Sequence, residues 1–315
     1  MEDRIGRKIE YLRLSVTDLC NYRCVYCMGE EGVCKKAHSE ILSLEEFAEI
    51  AEAAVRCGVK KIRLTGGEPL LRPGIVTLCR MLRGIEGLEE LTLTTNGSFL
   101  PAMARELKDA GVDRLNVSVD TLRPERFAAI TRRGQLADVQ RGLDAAREAG
   151  FTRTKLNVVL LGGVNDDEIC DFVTLTKKED YCVRFIELMP MGVCAQWPQE
   201  RFLPAQAVLT AVPELEMIGG DGVAELYRVP GYSGTVGLIR AMSGCFCDRC
   251  NRIRVTADGK LKPCLHSAAE FPLRGLHGAA LEQAIRAAAE AKPAGHHLTR
   301  THRSETARTM NEIGG

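Results

Sequence analysis

A regular alternation of strand-like and helix-like segments over residues 10 to 190 constrains the fold of this chain more than any other feature. Short aliphatic and β-branched runs alternate with stretches of helical periodicity. The predicted strands are 12–17, 60–67, 88–97, 113–120, 154–161 and 182–189. The predicted helices are 43–58, 74–84, 101–110, 124–131, 137–149 and 167–178. Ser43 and Glu46 predict a capping box at the start of the first helix.

Strands that alternate with helices predict parallel β/α units joined by right-handed crossovers. About six such units predict an α/β fold, a partial (open) TIM-type β/α barrel. Such a fold places its chemistry at the carboxyl ends of the strands. Polar or glycine-rich segments follow four of the predicted strands there, namely TDLC, TGGEP, TTNG and SVD. The fold alone names no reaction.

The pattern changes after residue 190, where proline and glycine become frequent. Shorter strand-like pieces follow at 224–229, 235–241, 252–256 and 260–264. We therefore predict a boundary near residue 195, with a barrel domain at 1–195 and a smaller α+β domain at 196–315. The polar C-terminal segment, THRSETARTMNEIGG, indicates a frayed terminus when it is considered alone.

Charge and hydropathy exclude several classes of partner. The formal net charge is zero and aromatic residues make up 5% of the chain, which argues against nucleic-acid binding. No apolar run approaches the ~18 residues of a membrane span. The N-terminal segment, MEDRIGRKIEYLRLSV, lacks the apolar centre of a secretory signal. We predict a cytoplasmic protein without a nucleic-acid or membrane partner.

Thirteen cysteines in a chain of this kind point to metal binding more than to a disulfide framework. Cys20, Cys24 and Cys27 lie in LCNYRCVYCMG, after the first predicted strand, with the spacing C-x3-C-x2-C. Thiolates select zinc, copper(I) or iron–sulfur clusters. Three of them suit a four-iron cluster with one open iron. A zinc site completed by Cys34 or His38 is the alternative, since structural zinc takes four ligands.

A second cysteine set lies in CFCDRCNRIRVTADGKLKPCL. Its cysteines are Cys247, Cys250 and Cys264. Cys245 could be a fourth ligand, so a zinc ribbon-like site competes with a second cluster. Arg252 and Arg254 alternate on a predicted strand and therefore point to the same side. Two guanidiniums beside a metal site suit a triphosphate or an electron-rich base, although a solvated strand face is the ordinary alternative.

The first cysteine set, with Tyr26 before its last cysteine, and TGGEP at 65–69 together resemble the radical S-adenosylmethionine (SAM) superfamily. The resemblance implies that Cys20, Cys24 and Cys27 hold a 4Fe-4S cluster whose fourth iron chelates SAM. Gly66 and Gly67 would let the backbone approach this cofactor closely. The implied contacts to SAM are Tyr26, Gly67, Ser118, Asn157 and Met189.

Both cysteine sets together with CNRIR and the terminal MNEIGG resemble the GTP 3′,8-cyclase family of molybdenum cofactor biosynthesis. The similarity runs from about Arg13 to Gly315. It implies a second 4Fe-4S cluster on Cys247, Cys250 and Cys264, with an open iron that binds guanine. The implied GTP-binding residues are Arg13, Lys61, Arg63, Thr94, Lys155, Arg184, Arg252 and Arg254. All are cationic except Thr94, as a triphosphate requires.

The implied activity is that of a lyase-type enzyme, which converts GTP to 3′,8-cyclo-7,8-dihydro-GTP. A 5′-deoxyadenosyl radical would remove the 3′ hydrogen of GTP, and the resulting C3′ radical would attack C8 of the guanine. The aminyl-type radical left on the base would then be reduced. The implied catalytic residues are Arg252, Arg254, Gly314 and Gly315. The implied partners, besides GTP, are a cellular electron donor and cyclic pyranopterin monophosphate synthase, and a homodimer is one candidate assembly.

Two alternatives stay open at this point. The nearer is another radical SAM enzyme with an auxiliary cluster, such as one that modifies peptides. Enzymes of that kind usually carry more cysteines around the auxiliary centre and lack CNRIR with a terminal GG. The more distant alternative is a zinc-stabilised binding module without catalysis.

Overall fold

The computed structural model of the chain describes residues 1–298 and 303–314. Twelve strands in that part form one sheet. They are β1 Tyr11–Ser15, β2 Lys61–Thr65, β3 Glu90–Thr95, β4 Arg114–Ser118, β5 Lys155–Leu160, β6 Cys182–Glu187, β7 Glu216–Asp221, β8 Ala224–Arg228, β9 Thr235–Ile239, β10 Arg252–Val255, β11 Lys260–Lys262 and β12 Phe271–Pro272. The helices are α1 Leu44–Arg56, α2 Ile75–Arg83, α3 Leu100–Asp109, α4 Pro124–Thr131, α5 Leu136–Glu148, α6 Ile169–Thr174, α7 Gln206–Ala211, α8 Gly278–Glu290 and α9 Met310–Ile313.

The order of the strands is β12-β11-β10-β1-β2-β3-β4-β5-β6-β9-β8-β7. Strands β1 to β6 are parallel and follow one another in chain order, with helices between them. The sheet has two free edges, β12 and β7. The predicted open β/α barrel is therefore confirmed.

The segment after residue 195 extends this sheet at both edges. Strand β9 pairs in parallel with β6, and β10 pairs in parallel with β1. One sheet thus continues across the predicted boundary, and the division into 1–195 and 196–315 stays a prediction. The sequence analysis missed β7, β12, α7 and α8, all of which lie in this later part.

Local signals account for the helix ends. Ser43 Oγ accepts a hydrogen bond from Glu46 N at 3.1 Å, and Glu46 Oε2 accepts one from Ser43 N at 2.7 Å. The predicted capping box is therefore confirmed. The helix predicted at 167–178 is shorter in the structure, because 3₁₀ turns flank α6 on both sides. Such turns are common at helix ends.

The two faces of the sheet differ in chemistry. Leu12, Leu14, Ile62 and Leu64 belong to the face that is fully buried in the hydrophobic core. Alternate residues of the same strands project to the other face. There the register places Arg13 of β1 beside Arg63 of β2 and Arg254 of β10. The core thus lies on one side of the sheet, and the other side carries polar and cationic residues.

The described residues contain no helix with both the length and the apolar character needed to cross a membrane.

Candidate active site

The loop after β1 carries the first cysteine set and is held by backbone hydrogen bonds. Arg23 N donates to Thr131 O at 2.9 Å, and Val25 N donates to Ile130 O at 2.9 Å. Both contacts fix the loop to the end of α4. The side chains of Cys20, Cys24 and Cys27 are half-buried and line one cavity on the polar face of the sheet. The structure therefore brings the first predicted metal ligands together.

The three thiols of this loop are electrostatically unusual. Burial raises the pKa of Cys20 to about 11 and that of Cys27 to about 12, and it also raises the pKa of Cys24. The neighbouring thiols raise the pKa values of Cys24 and Cys27 further. Half-buried thiols that repel one another as anions are stabilised as thiolates when they bind a cationic metal centre. This donor set fits a bound iron–sulfur cluster.

The spacing of the ligand atoms bears on the zinc alternative. Among the described residues, one group of three candidate ligands, Cys245, Cys247 and His296, has its ligand atoms within 4.8 Å of one another. Neither predicted cysteine triple is such a group. Ligands of one zinc ion lie close together because each is only about 2.0–2.3 Å from the metal. The wider spacing of Cys20, Cys24 and Cys27 suits a larger centre.

The TGGEP segment packs directly on the cysteine loop. Gly67 N donates to Thr17 O at 2.7 Å, and Glu68 N donates to Leu19 O at 2.8 Å. A Cβ on Gly67 would lie 2.3 Å from Leu19 O, and one on Gly66 would lie 2.5 Å from Thr17 O. The sequence analysis assigned these glycines to close approach of a cofactor. The structure adds another reason, which is the close approach of the cysteine-loop backbone.

The residues predicted to contact SAM line the same cavity as the cysteines. They are Tyr26, Gly67, Ser118, Asn157 and Met189. Ser118 of β4 and Asn157 of β5 are register partners. The Tyr26 hydroxyl donates to Asp120 Oδ2 at 2.6 Å, and Asp120 Oδ1 accepts from Val159 N at 2.8 Å. Asp120 thereby fixes Tyr26 against β5.

A group of basic residues forms much of the remaining wall, which we call the cationic wall. Its members are Arg13, Lys61, Arg63, Arg114, Lys155, Arg184, Arg252 and Arg254. Burial, followed by repulsion from Arg254 and Arg63, lowers the pKa of Arg13. Burial and the nearby Arg252 lower the pKa of Arg254 to about 10. Like charges buried together are costly unless an anion compensates them, so this wall is suited to a polyanion.

Several polar atoms of the cavity have no hydrogen-bond partner among the described residues. They are Tyr11 Oη, Thr94 Oγ1, Arg114 Nε, Arg184 Nε and Arg252 Nη2. Buried polar atoms are nearly always paired in folded proteins. A ligand with several oxygens and nitrogens would satisfy them, which again indicates a polar ligand.

The second cysteine set lines this same cavity. Cys247, Cys250 and Cys264 are half-buried. Burial alone would raise the pKa of Cys250, but Lys292 and Arg252 outweigh it and lower the value to about 7. A stabilised thiolate is a good ligand for a soft metal centre, so these residues fit a second cluster.

The flanks of the second set are held by two basic residues. Lys292 Nζ donates to Arg252 O at 2.7 Å and to Pro263 O at 2.8 Å. Arg7 Nη1 donates to Cys247 O at 2.5 Å. These bonds tie the N-terminus and the segment after α8 to the cysteine loop.

Cys245 occupies a different position from the other three C-terminal cysteines. It is exposed and lies outside the cavity wall, and its Sγ is 3.9 Å from His296 Nε2. A zinc site that used Cys245 would therefore share only Cys247 with the predicted cluster. A zinc ion would thus use Cys245, Cys247 and His296, whereas the predicted cluster would use Cys247, Cys250 and Cys264.

Comparison with known proteins decides the family. Residues 14–176 match the model of the Radical SAM superfamily, and residues 181–298 match that of Molybdenum Cofactor Synthesis C. A curated GTP 3′,8-cyclase of Alkaliphilus oremlandii (strain OhILAs) is 45% identical over 100% of both chains. Another, from Peptoclostridium acidaminophilum, is 54% identical over 87% of this chain and 85% of the relative. This chain belongs to the GTP 3′,8-cyclase family of the radical SAM superfamily.

Solved structures agree with this membership at the level of the fold. Streptococcus suis SuiB bound to precursor peptide SuiA has a TM-score of 0.60 at 13% identity and covers 89% of this chain and 67% of its own. Native anSMEcpe with bound AdoMet has a TM-score of 0.57 at 14% identity, and the match covers 86% of this chain and 79% of that structure's chain. The radical SAM membership confirms the predicted superfamily and implies one 4Fe-4S cluster with SAM.

The C-terminal segment of this cyclase-family chain is docked as far as Gly314. Arg254 Nη1 donates to Gly314 O at 2.5 Å, and Asn311 Nδ2 donates to Asp18 O at 3.1 Å. Gly314 has φ +76°, and a Cβ there would lie 2.1 Å from Thr65 Oγ1. The frayed alternative is therefore wrong for residues 303–314. Gly315 lies outside the described residues.

Sequence analysis missed several polar residues of this cyclase-family site. Glu68 accepts hydrogen bonds from Thr95 Oγ1 at 2.8 Å and Asn96 N at 2.7 Å. It thereby joins the loops after β2 and β3, and burial raises its pKa to about 7. Asp120, Lys292 and Asp221 were also missed. Glu68 lies inside the quoted TGGEP motif, so that motif was the available signal for it.

Proposed function

We propose that this chain converts GTP to 3′,8-cyclo-7,8-dihydro-GTP in the first step of molybdenum cofactor biosynthesis. One observation carries the proposal: a single cavity is lined by both cysteine sets and, in addition, by the cationic wall. A nucleoside triphosphate supplies the negative charge that this wall requires. The names of the curated relatives support the same substrate.

The residues of the chain fall into two groups under this proposal. Cys20, Cys24 and Cys27 would hold the cluster that binds SAM, and the second triple would hold the cluster that receives guanine. When bound, the first cluster and SAM supply the 5′-deoxyadenosyl radical that removes the 3′ hydrogen of GTP. The protein holds the reacting atoms of the substrate close together and excludes water.

The cationic wall would position GTP for ring closure. Arg252 and Arg254 lie on the strand that follows the second cysteine pair. The bond from Arg254 to the Gly314 carbonyl fixes this guanidinium within the wall. Fixed donors of this kind stabilise developing charge better than mobile ones. We assign both arginines to steering the nucleotide after loss of its 3′ hydrogen.

The direct test uses GTP deuterated at C3′. The chain with both clusters reconstituted is incubated anaerobically with SAM, a reductant and this substrate. We expect deuterium in 5′-deoxyadenosine and a product that is a cyclised isomer of GTP, both detected by mass spectrometry. ATP deuterated at C3′ is the matched control substrate. Formation of 5′-deoxyadenosine without deuterium from GTP would contradict the proposal.

The peptide-modifying alternative makes a different prediction for the cavity. A peptide without several acidic groups would leave the buried cations of the wall uncompensated. No contact in the described part of the chain favours that alternative. The cytoplasmic location, the electron donor, the downstream synthase and the homodimer stay predictions.

Binding of GTP is expected to weaken as pH rises through about 8. Burial lowers the pKa of Lys155 to about 8, and Arg184 and Arg114 add to the effect, although Asp221 opposes it. The charged form of Lys155 prevails below that pH and is lost above it. Dissociation constants from pH 6.5 to 9 measure the effect. Lys155→Arg retains its charge throughout, so its profile should be flatter, and an equally steep profile would contradict the assignment.

A further inference from the structure

One carboxylate already occupies part of the cationic wall. Asp221 Oδ2 accepts hydrogen bonds from both Lys155 Nζ and Arg184 Nη2. The two basic side chains are only 5% and 8% exposed, whereas that of Asp221 is 44% exposed. The cations thus belong to the cavity wall, and the carboxylate reaches them from the side of the solvent.

The hairpin that carries Asp221 is held on one side only. Asp221 is the last residue of β7, which forms the edge of the sheet and pairs with β8 alone. Residues 216–220 are all exposed. Gly219 and Gly222 have φ values of +136° and +64°, and a Cβ on either would meet nothing within 4 Å. The backbone around Gly219 and Gly222 therefore has free space beside it, and β7 is held in the sheet by its pairing with β8.

Asp221 is the acidic partner of these two cations, whereas Glu90, another acidic residue of the cavity lining, is paired with other cations of the wall. Glu90 forms ion pairs with Arg114 at 2.5 Å and with Lys61 at 3.5 Å. Burial would raise the pKa of Asp221, but Arg184, Lys155 and Arg114 hold it at about 2. The carboxylate is therefore ionised at neutral pH.

We propose that Asp221 is an internal counter-ion which occupies part of the triphosphate subsite and which GTP displaces from Lys155 and Arg184. The inference rests on the proposed function. A phosphate oxygen and the Asp221 carboxylate compete for the same donors, and two anions side by side repel each other. A ligand that reaches this subsite must first displace Asp221 from Lys155 and Arg184. The free energy that this displacement costs lowers the affinity for every such ligand.

The competition costs GTP and simple anions the same free energy, but simple anions have less binding energy with which to offset it. GTP retains binding energy from its guanine and ribose, so it still binds after the carboxylate is displaced. Inorganic tripolyphosphate has no such contacts. The counter-ion would thus keep the subsite closed to free phosphates while admitting the nucleotide.

The test compares Asp221→Asn with the wild-type chain, both carrying reconstituted, unreduced clusters. Equilibrium dialysis measures the dissociation constants of GTP, tripolyphosphate and guanosine. We expect Asp221→Asn to bind GTP and tripolyphosphate about tenfold more tightly, within the usual range of coupling between competing groups. The affinity for guanosine, which lacks phosphate, should not change. A structural defect would weaken all three ligands.

Two variants complete the design. Glu216→Gln removes one negative charge from the same strand at an exposed position and should bind all three ligands as the wild type does. Asp221→Glu keeps the charge and should retain weak binding of tripolyphosphate. Equal or weaker binding of GTP and tripolyphosphate by Asp221→Asn would overturn the counter-ion role alone. Failure of the wild type to bind GTP would overturn both this role and the proposed function.

Discussion

Replacement of both Arg252 and Arg254 by alanine is expected to abolish cyclisation of GTP while cleavage of SAM continues. Both side chains line the cavity from β10. Three strands, β1, β2 and β3, separate β10 from β4, which carries Ser118. The predicted SAM contacts on β4 and β5 should therefore survive the change. The nucleotide would lose two fixed cations and would no longer be steered towards ring closure.

Loss of such preorganised donors typically lowers a rate by about 10²–10³-fold each, so the cyclised product should fall below detection. Chromatography of the product and of 5′-deoxyadenosine measures the two activities in one sample. Arg249→Ala is the matched control, because Arg249 lies just before β10, outside the cavity lining, and its side chain is 62% exposed. Loss of both activities together would contradict the steering role.

The parts of this fold that sequence predicted best are those encoded by local patterns. Strands β1 to β6 were predicted within about two residues at each end, because each combines an aliphatic run with turn signals. The capping box at Ser43 is equally local. The cysteine motif and TGGEP could be recognised because their residues are close together in the chain.

The features that could not be predicted from the sequence depend on contacts between residues that are far apart in the chain. Lys155 and Asp221 are 66 positions apart, and no pattern around Asp221 indicates a basic partner. Lys292 is 40 positions from Arg252, whose carbonyl it binds. The placement of β9 and β10 at opposite sides of the β1–β6 core likewise follows from pairing between strands that are far apart in the chain. Sequence reasoning predicted these strands but not their neighbours.

The C-terminal tail is held by contacts that its own sequence does not reveal. The composition of the last fifteen residues indicates a frayed end, whereas the terminal motif implies an ordered one. The structure supports order through Gly314, because Arg308 Nη2 contacts Asp258 Oδ2 at 2.9 Å and Arg308 Nε contacts Glu270 Oε1 at 2.6 Å. Neither acidic partner could be assigned from the tail sequence.

The largest effect is expected from replacing Cys20, Cys24 and Cys27 together by serine. About eight irons per chain are expected for the reconstituted wild type, and about four for this variant, since each four-iron site has its own three cysteines. Cleavage of SAM and cyclisation of GTP should both fall below detection. Serine retains the size of the buried side chains, so the loop should keep its bonds to Thr131 and Ile130.

The matched variant, in which Cys247, Cys250 and Cys264 become serine, separates the roles of the two sets. It should also carry about four irons, retain cleavage of SAM and lose cyclisation. GTP should change the electron paramagnetic resonance spectrum of the reduced cluster in the first variant but not in this one. That difference is required if guanine binds the second cluster. Zinc in place of iron at the C-terminal set, with no spectral response to GTP, would contradict the two-cluster site and leave a radical SAM enzyme of another substrate.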